Sequence, residues 1–392
     1  MPLPSALTLP PLSLYIHIPW CVQKCPYCDF NSHGQKQQTL PEAEYIGHLL
    51  DDLSEDAKLV ADRPIHSIFI GGGTPSLFSA GSIKRLLDGV KQRVDVTADA
   101  EITMEANPGT FESQKFADYV TAGITRLSIG VQSFQTDKLK KLGRIHDDSQ
   151  AIAAASTAKE IGLSSFNLDL MHGLPDQSIG DAMFDLQQAI DLSPPHLSWY
   201  QLTIEPNTQF HSKPPQLPED ELLWDIQQKG DQVLRAAGYV QYEISAYSLA
   251  NNQCQHNLNY WRFGDYLGIG CGAHGKITQL ASQPHSNQNQ IMRTVKVKHP
   301  KGYMDFTKPY NNELICVKAE DLPFEFFMNR FRLVEPCPKA DYPMFTGLTL
   351  DKQTLSNLQS AISKGLITET STHWQVTTLG RRYLNTLLEM MV

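Results

Sequence analysis

Residues 13–30 read Ser13-Leu14-Tyr15-Ile16-His17-Ile18-Pro19-Trp20-Cys21-Val22-Gln23-Lys24-Cys25-Pro26-Tyr27-Cys28-Asp29-Phe30. The apolar run Ser13–Ile18 predicts a strand, and Pro19 ends it. Three thiols follow in a polar loop at the spacing CxxxCxxC, all within eight residues. Thiols this close, leaving one strand together, can converge on one cubane, because iron–sulfur irons favour cysteine thiolates. A fully ligated 4Fe-4S cluster takes four. Cys21, Cys25 and Cys28 therefore leave one iron open, as a catalytic zinc keeps its fourth position open. Two alternatives stand beside this reading. A structural zinc would use two ligand pairs, but no second CxxC or HxxxH lies nearby. A fourth thiolate from Cys254 or Cys271 would instead make an electron-transfer cluster.

Beyond this strand the chain alternates short apolar runs with longer amphipathic ones as far as about Ser245. Strands are expected at Ser13–Ile18, Ser67–Ile70, Glu101–Glu105, Arg126–Gly130, Ser165–Leu170 and His196–Leu202. Helices are expected at Glu42–Val60, Ala80–Val90, Phe111–Ala122, Asp148–Ile161, Ile179–Leu192 and Glu219–Ala237. Strands spaced by helices in this way imply right-handed βαβ units and a parallel sheet. Six units suit a partial barrel, although periodicity alone does not separate that from a doubly wound open sheet. In both layouts chemistry gathers at the carboxyl ends of the strands. Cys21 follows the first strand, Gly71-Gly72-Gly73 the second and Gln132 the fourth; Glu105 and Asp169 close the third and fifth. Asp169 stands between Leu168 and Leu170, where an unpartnered carboxylate would be costly.

After about Tyr247 the pattern changes. Asn251–Asn259 is polar, Asp265–Lys276 is Gly-rich and Ser282–Gln290 is a Pro/Ser/Asn/Gln loop, which reads as linker. From Lys318 a second unit is expected: helices at Asp321–Leu333 and Asp351–Lys364, a hairpin at Leu366–Val376 turning at Thr370-Ser371-Thr372, and a helix from Thr378. That order suggests a small winged-helix-like domain. The expected organisation is 1–250, 251–317 and 318–392.

With 392 residues, 41% of them apolar and 19% charged, the chain resembles an ordinary globular protein with more than one domain. A net charge of −9 with interspersed signs gives no basic face for nucleic acid. Seven cysteines, an odd number, fit a reducing compartment better than a disulfide framework. Residues Met1 to Leu14 lack a basic start and are broken by Pro2, Pro4, Pro10 and Pro11, unlike a signal peptide. No run approaches a membrane span. A cytoplasmic protein is expected.

Together with Gly71-Gly72-Gly73-Thr74-Pro75-Ser76, Gly130-Val131-Gln132-Ser133-Phe134 and Asp169-Leu170-Met171-His172-Gly173-Leu174-Pro175, the cysteine segment resembles radical S-adenosylmethionine (SAM) proteins. Most of the chain is similar to the oxygen-independent coproporphyrinogen III oxidase family. The resemblance implies an α/β fold, a partial (β/α)6 barrel with a small, mainly helical, winged-helix-like C-terminal domain. It also implies SAM chelating the open iron, where an electron cleaves it to methionine and a 5′-deoxyadenosyl radical. Gly72, Gly73 and Thr74 would hold the SAM amino group. Glu105, Gln132, Arg144 and Asp169 would lie around SAM, with Tyr15 beside it. Read alone, Arg144 would be a solvated helix-end cation and Tyr15 a packing residue.

Within the family, the decarboxylase branch carries a fourth cysteine two residues after the third, where this chain has Phe30. It also carries a longer N-terminal arm, whereas fourteen residues precede Tyr15 here. Cys28-Asp29-Phe30-Asn31-Ser32 and His256-Asn257-Leu258-Asn259-Tyr260-Trp261 look instead like the heme-chaperone branch, whose HNxxYW segment is associated with heme. An imidazole can ligate heme iron and aromatic rings can cover a porphyrin. The resemblance thus implies heme as a third cofactor with His256 at its site, and His274 as a second candidate. It implies an electron donor, and a heme-acceptor protein such as a respiratory enzyme, through which a peripheral membrane contact would arise. His17, between apolar strand residues, reads as a hydrogen-bonded core histidine. The rival activity is anaerobic decarboxylation of coproporphyrinogen propionates.

Overall fold

In the computed structural model, which describes residues 7–35, 39–110, 113–163, 165–281 and 289–392, the first six expected strands form one parallel array. They are β1 (Leu12–Ile18), β2 (Ile65–Gly72), β3 (Val96–Ala106), β4 (Arg126–Gln132), β5 (Ser165–His172) and β6 (His196–Gln201), each hydrogen-bonded to the next in order. A doubly wound sheet would reverse strand order partway. Here the order never reverses, so right-handed crossovers place every helix on one face and the sheet curls around the other. The helices are α1 (Glu42–Asp56), α2 (Ala80–Lys91), α3 (Ser113–Ala122), α4 (Asp148–Glu160), α5 (Ile179–Asp191) and α6 (Asp220–Ala236). The expected start of the third, Phe111, lies outside the described residues. Local chemistry sets several starts. Ser79 Oγ accepts from the Ser82 amide at 3.2 Å, and Asp147–Gln150 and Ser178–Asp181 form capping boxes.

Alternate strand residues divide the two faces. Leu14, Ile16, Ile68, Ile70, Met104, Leu127, Ile129, Leu168 and Leu170 are buried in the core shared with the helices. Their neighbours Ser13, Ser67, Glu101, Arg126, Ser128, Asn167 and Asp169 line a polar interior. No helix among the described residues is long and apolar enough to cross a membrane.

The segment expected to be irregular linker is mostly strand. After β7 (Val240–Gln241) and β8 (Ala246–Ser248), which run antiparallel beyond β6, α7 (Gln255–Trp261) leads into β9 (Asp265–Ile269). Strand β9 pairs parallel with β1 on its free edge; β10 (His274–Gln279), β11 (Gln290–Lys296) and β12 (Asn311–Cys316) then extend the sheet antiparallel. Of the expected Ser282–Gln290 loop, residues 282–288 lie outside the described residues. The glycines misled because they serve close packing. A Cβ on Gly268 would collide with the His274 carbonyl and one on Gly275 with Thr294. Buried charges also broke the apolar alternation: Asp265 accepts from Arg63 at 2.8 Å, Lys276 at 2.9 Å and the Thr278 amide at 2.9 Å.

A second buried ion network ties α1 to this extension. Lys296 Nζ donates to Asp52 Oδ1 at 2.6 Å and lies 2.8 Å from Asp56 Oδ2, off the hydrogen-bonding direction. Asp52 Oδ2 also accepts from Tyr303 at 2.6 Å and from the Gly270 amide at 3.1 Å.

The C-terminal unit contains helices Leu322–Arg330, Asp341–Thr346, Lys352–Ser363, Thr378–Arg382 and Leu384–Glu389. Its three-stranded sheet has the order Cys337–Pro338, His373–Val376, Ile367–Glu369. The helix at Asp341 and the strand at Cys337 were not foreseen, and the last expected helix divides at Tyr383. Phe263 and Ile291 enter this unit's core with Phe326, Phe327 and Trp374, which joins it to the barrel extension.

Candidate metal and cofactor site

The three cysteines lie in the loop at the carboxyl end of β1. Backbone bonds anchor it: His33 N to Pro19 O at 2.7 Å, Gln35 N to Cys21 O at 2.7 Å, and Phe210 N to Pro26 O at 2.9 Å. All three thiols are free. Burial pushes those of Cys21 and Cys28 up, and their neighbouring thiols push the same way. Among the described residues no group of three His, Cys, Asp or Glu is compact enough for a single metal ion. A cubane asks for a wider set, since each thiolate binds a different iron. Cys254 lies at α7, with its thiol 3.4 Å from Glu101 Oε1, and the Cys271 thiol donates to the Lys298 carbonyl at 2.9 Å. The donor set in the loop suits three irons of a cubane, which Cys21, Cys25 and Cys28 would hold.

The glycine turn is pressed against this loop. The amides of Gly73 and Thr74 donate to Ile18 O and Trp20 O, each at 2.7 Å. Gly72, at φ +109°, has no space for a Cβ beside the His17 ring. Its amide donates to Glu105 Oε2 at 3.0 Å. Burial first, then Asp169, push the Glu105 carboxyl up to about 8 against that one hydrogen bond. Asp169 stands in the middle of β5, which runs on to His172. It accepts from Ser128 at 3.0 Å and Asn167 at 2.7 Å, and burial raises it as well. Two desolvated acids beside the glycine turn form a site suited to a cationic ligand such as a sulfonium with an ammonium group.

Gln132, at φ +70°, follows a break in register between β4 and β5 that re-aims its side chain; its Oε1 accepts from Tyr200 at 2.9 Å. Arg144 is not a solvated helix-end cation. It donates to Gly130 O at 2.6 Å and points a second nitrogen at Cys25 Sγ, 3.8 Å away. Gly143, at φ +67°, lets this segment pack on Pro26 of the cysteine loop. Tyr15 donates to or accepts from His17 Nδ1 at 3.0 Å and stacks near Phe69, and His17 Nε2 reaches Asn31 O at 2.9 Å. His17 is thus a bonded core histidine, held near 4 by burial. Ser128, Asn167 and Tyr200 were missed by the sequence reading. The alternation of polar and apolar residues along Arg126–Gln132 and Ser165–Asp169 was the signal that marked the face of Ser128 and Asn167.

His256 is not brought together with the cysteines. Its Nδ1 meets Ser67 Oγ at 3.2 Å and its ring lies 5.2 Å from Phe69. Ser67 is five residues before Gly72, roughly 16 Å of strand away from the glycine turn. Burial lowers His256 to about 3, so the imidazole is neutral. Tyr260 and Trp261 pack edge to face, and Trp261 lies under Arg332. His274 is exposed at the start of β10.

Glu105 supplies a pH test. In the cofactor-free chain it is protonated below about 8, so a cationic SAM must displace a proton there. SAM affinity of the cluster-loaded protein should rise about tenfold per unit as pH approaches 8, then level. Glu105→Gln should weaken binding at least about tenfold and flatten that profile. Equilibrium dialysis from pH 6 to 9 reads both; an unchanged slope in the variant would assign the proton elsewhere. The sign for stability follows. An acid raised on folding from 4.5 favours the folded state at low pH, and this contribution is lost as pH rises through about 8.

A single-wound partial barrel, with three thiols at the end of its first strand and a glycine turn beside them, defines a radical-SAM scaffold. The Radical SAM superfamily model matches residues 15–186 and the HemN C-terminal domain model residues 317–383. The heme chaperone HemW of Escherichia coli (strain K12) is 58% identical over 384 residues, covering 98% of this chain and 99% of that protein. That of Haemophilus influenzae is 56% identical over 388 residues, 98% of each chain, and that of Bacillus subtilis 34% over 368 residues, 91% of this chain and 92% of the relative. The solved structure of coproporphyrinogen III oxidase (HemN) from Escherichia coli, a radical SAM enzyme, shares the fold with a TM-score of 0.81 at 24% identity, covering 98% of this chain and 90% of that one. The chain belongs to the radical-SAM coproporphyrinogen oxidase-like family, in its heme-chaperone branch.

Proposed function

We propose that this protein is a heme chaperone that binds heme, one 4Fe-4S cluster and SAM, and passes heme to an acceptor protein such as a respiratory enzyme. The observation that carries this reading is the 58% identity, over nearly the whole chain, with a relative named a heme chaperone. Phe30 stands where the oxidase branch carries a further cysteine, which supports the same reading. When bound, the cluster and SAM supply one-electron chemistry. This chain's residues hold the cluster with Cys21, Cys25 and Cys28 and orient SAM with Gly72, Gly73, Thr74, Glu105, Gln132, Arg144 and Asp169, with Tyr15 alongside. Helix α7, from His256 to Trp261, is the heme-associated element. An electron donor serves the cluster in the cytoplasm, and contact with a membrane comes through the acceptor.

Reconstituted protein should bind ferric heme saturably, with a Soret band, and give it up to an apo-acceptor. It should form no protoporphyrinogen from coproporphyrinogen with SAM and reductant. Stoichiometric decarboxylation would replace this function with the oxidase reaction.

A further inference from the structure

Barrel enzymes do their chemistry at the carboxyl ends of the strands, and the opposite end ordinarily serves stability. In this chain that opposite end is not closed. A cavity of about 550 Å³ lies between the amino ends of β1 and β2, one face of α7 and the C-terminal unit, within the roughly 300–1,000 Å³ usual for a ligand site. Helix α7 presents Gln255 and Leu258 to it, and Arg262, which caps its C-terminus, continues the same face. Phe345 and several prolines add apolar wall. None of the SAM-site residues lines it.

Two imidazoles face the cavity from different units: His66 on β2 and His373 on the C-terminal hairpin. His66 is exposed, and its imidazole makes no hydrogen bond to a described residue. The His373 Nδ1 meets Thr372 Oγ1 at 2.8 Å, which leaves Nε2 without a partner there. Arg262 stands half-exposed at the rim in a two-pronged contact with Glu335, at 2.8 and 2.6 Å. Arg330, buried beside it, pairs with Glu335 and Asp341. Charge in the cavity is thus balanced, with one cation able to exchange its carboxylate partner. A flat apolar ring, an iron that takes imidazole nitrogen, and peripheral carboxylates match these three features.

We propose that heme is held in this cleft beside α7, its iron taken by His66, His373 or both, and a propionate taken by Arg262. The proposal rests on the chaperone reading and names the site that reading lacks. His256, turned into the barrel onto Ser67, is not the iron ligand.

Ferric heme titrated into the full-length, cluster-reconstituted protein tests this by absorbance and electron paramagnetic resonance. His66→Ala with His373→Ala should weaken binding at least tenfold and remove the imidazole-ligated spectrum. Gln255→Trp, which fills the cleft from an exposed position, should also block binding. His256→Ala should keep the wild-type ligand spectrum. Intact cluster absorbance in each variant reports a folded barrel. A double variant that titrates like wild type, or loss of the ligand spectrum in His256→Ala alone, would overturn the proposal while leaving the chaperone reading standing. No saturable binding by the wild-type protein would remove both.

Discussion

Replacing Cys21, Cys25 or Cys28 with alanine removes the iron–sulfur absorbance and iron content of the reconstituted protein, and SAM binding with it. Each thiolate serves a different iron, so no surplus ligand covers the loss. Cys254 and Cys271 do not stand in, because one thiol is engaged with Glu101 and the other with the Lys298 carbonyl. The chain stays folded, since backbone bonds from His33, Gln35 and Phe210 anchor the loop without the thiols. Cys316→Ala, on the exposed edge strand β12, serves as control and keeps full iron. Iron analysis and visible absorbance after anaerobic reconstitution measure the effect; wild-type iron in any of the three variants would show that its thiol is not a ligand.

Lys296→Met destabilises the cofactor-free chain by about 3–5 kcal/mol, the usual cost of removing one partner from a buried ion pair. The side chains of Lys296 and Asp52 are fully buried and that of Asp56 nearly so, and among the described residues Lys296 is the cation paired with both carboxylates. Burial, despite Lys296, already raises Asp52 to about 6. Removing the lysine would leave two desolvated acids in contact. Adding Asp52→Asn and Asp56→Asn to Lys296→Met should recover most of the loss, because the charge imbalance is then gone. Urea unfolding of the three proteins (wild type, single and triple variant) measures this. A single variant as stable as wild type would show that the network carries no net charge energy.

The barrel was legible because apolar strand runs and amphipathic helices alternate at regular spacing, and each of the six expected strands is present within a few residues. The extension through β9–β12 was not legible. Its glycines resemble loop glycines until Gly268 is seen against the His274 carbonyl, and Asp265, Lys276 and Lys296 resemble surface charges until their partners arrive from Arg63, α1 and each other. Arg144 shows the same limit. Alone it reads as a helix-end cation, and only the fold brings it to Gly130 and Cys25.

The sequence by itself determined the three-thiol loop, the parallel α/β class and the residues at the strand ends, because spacing and periodicity are local properties of the chain. Tertiary structure alone decided that the six barrel strands wind in a single direction, that Glu105 is pushed up by burial and by Asp169, and that His256 packs on Phe69 and meets Ser67 inside the barrel. Strand order, desolvation and the contacts across the interior arise between segments distant in the chain, so no local pattern encodes them.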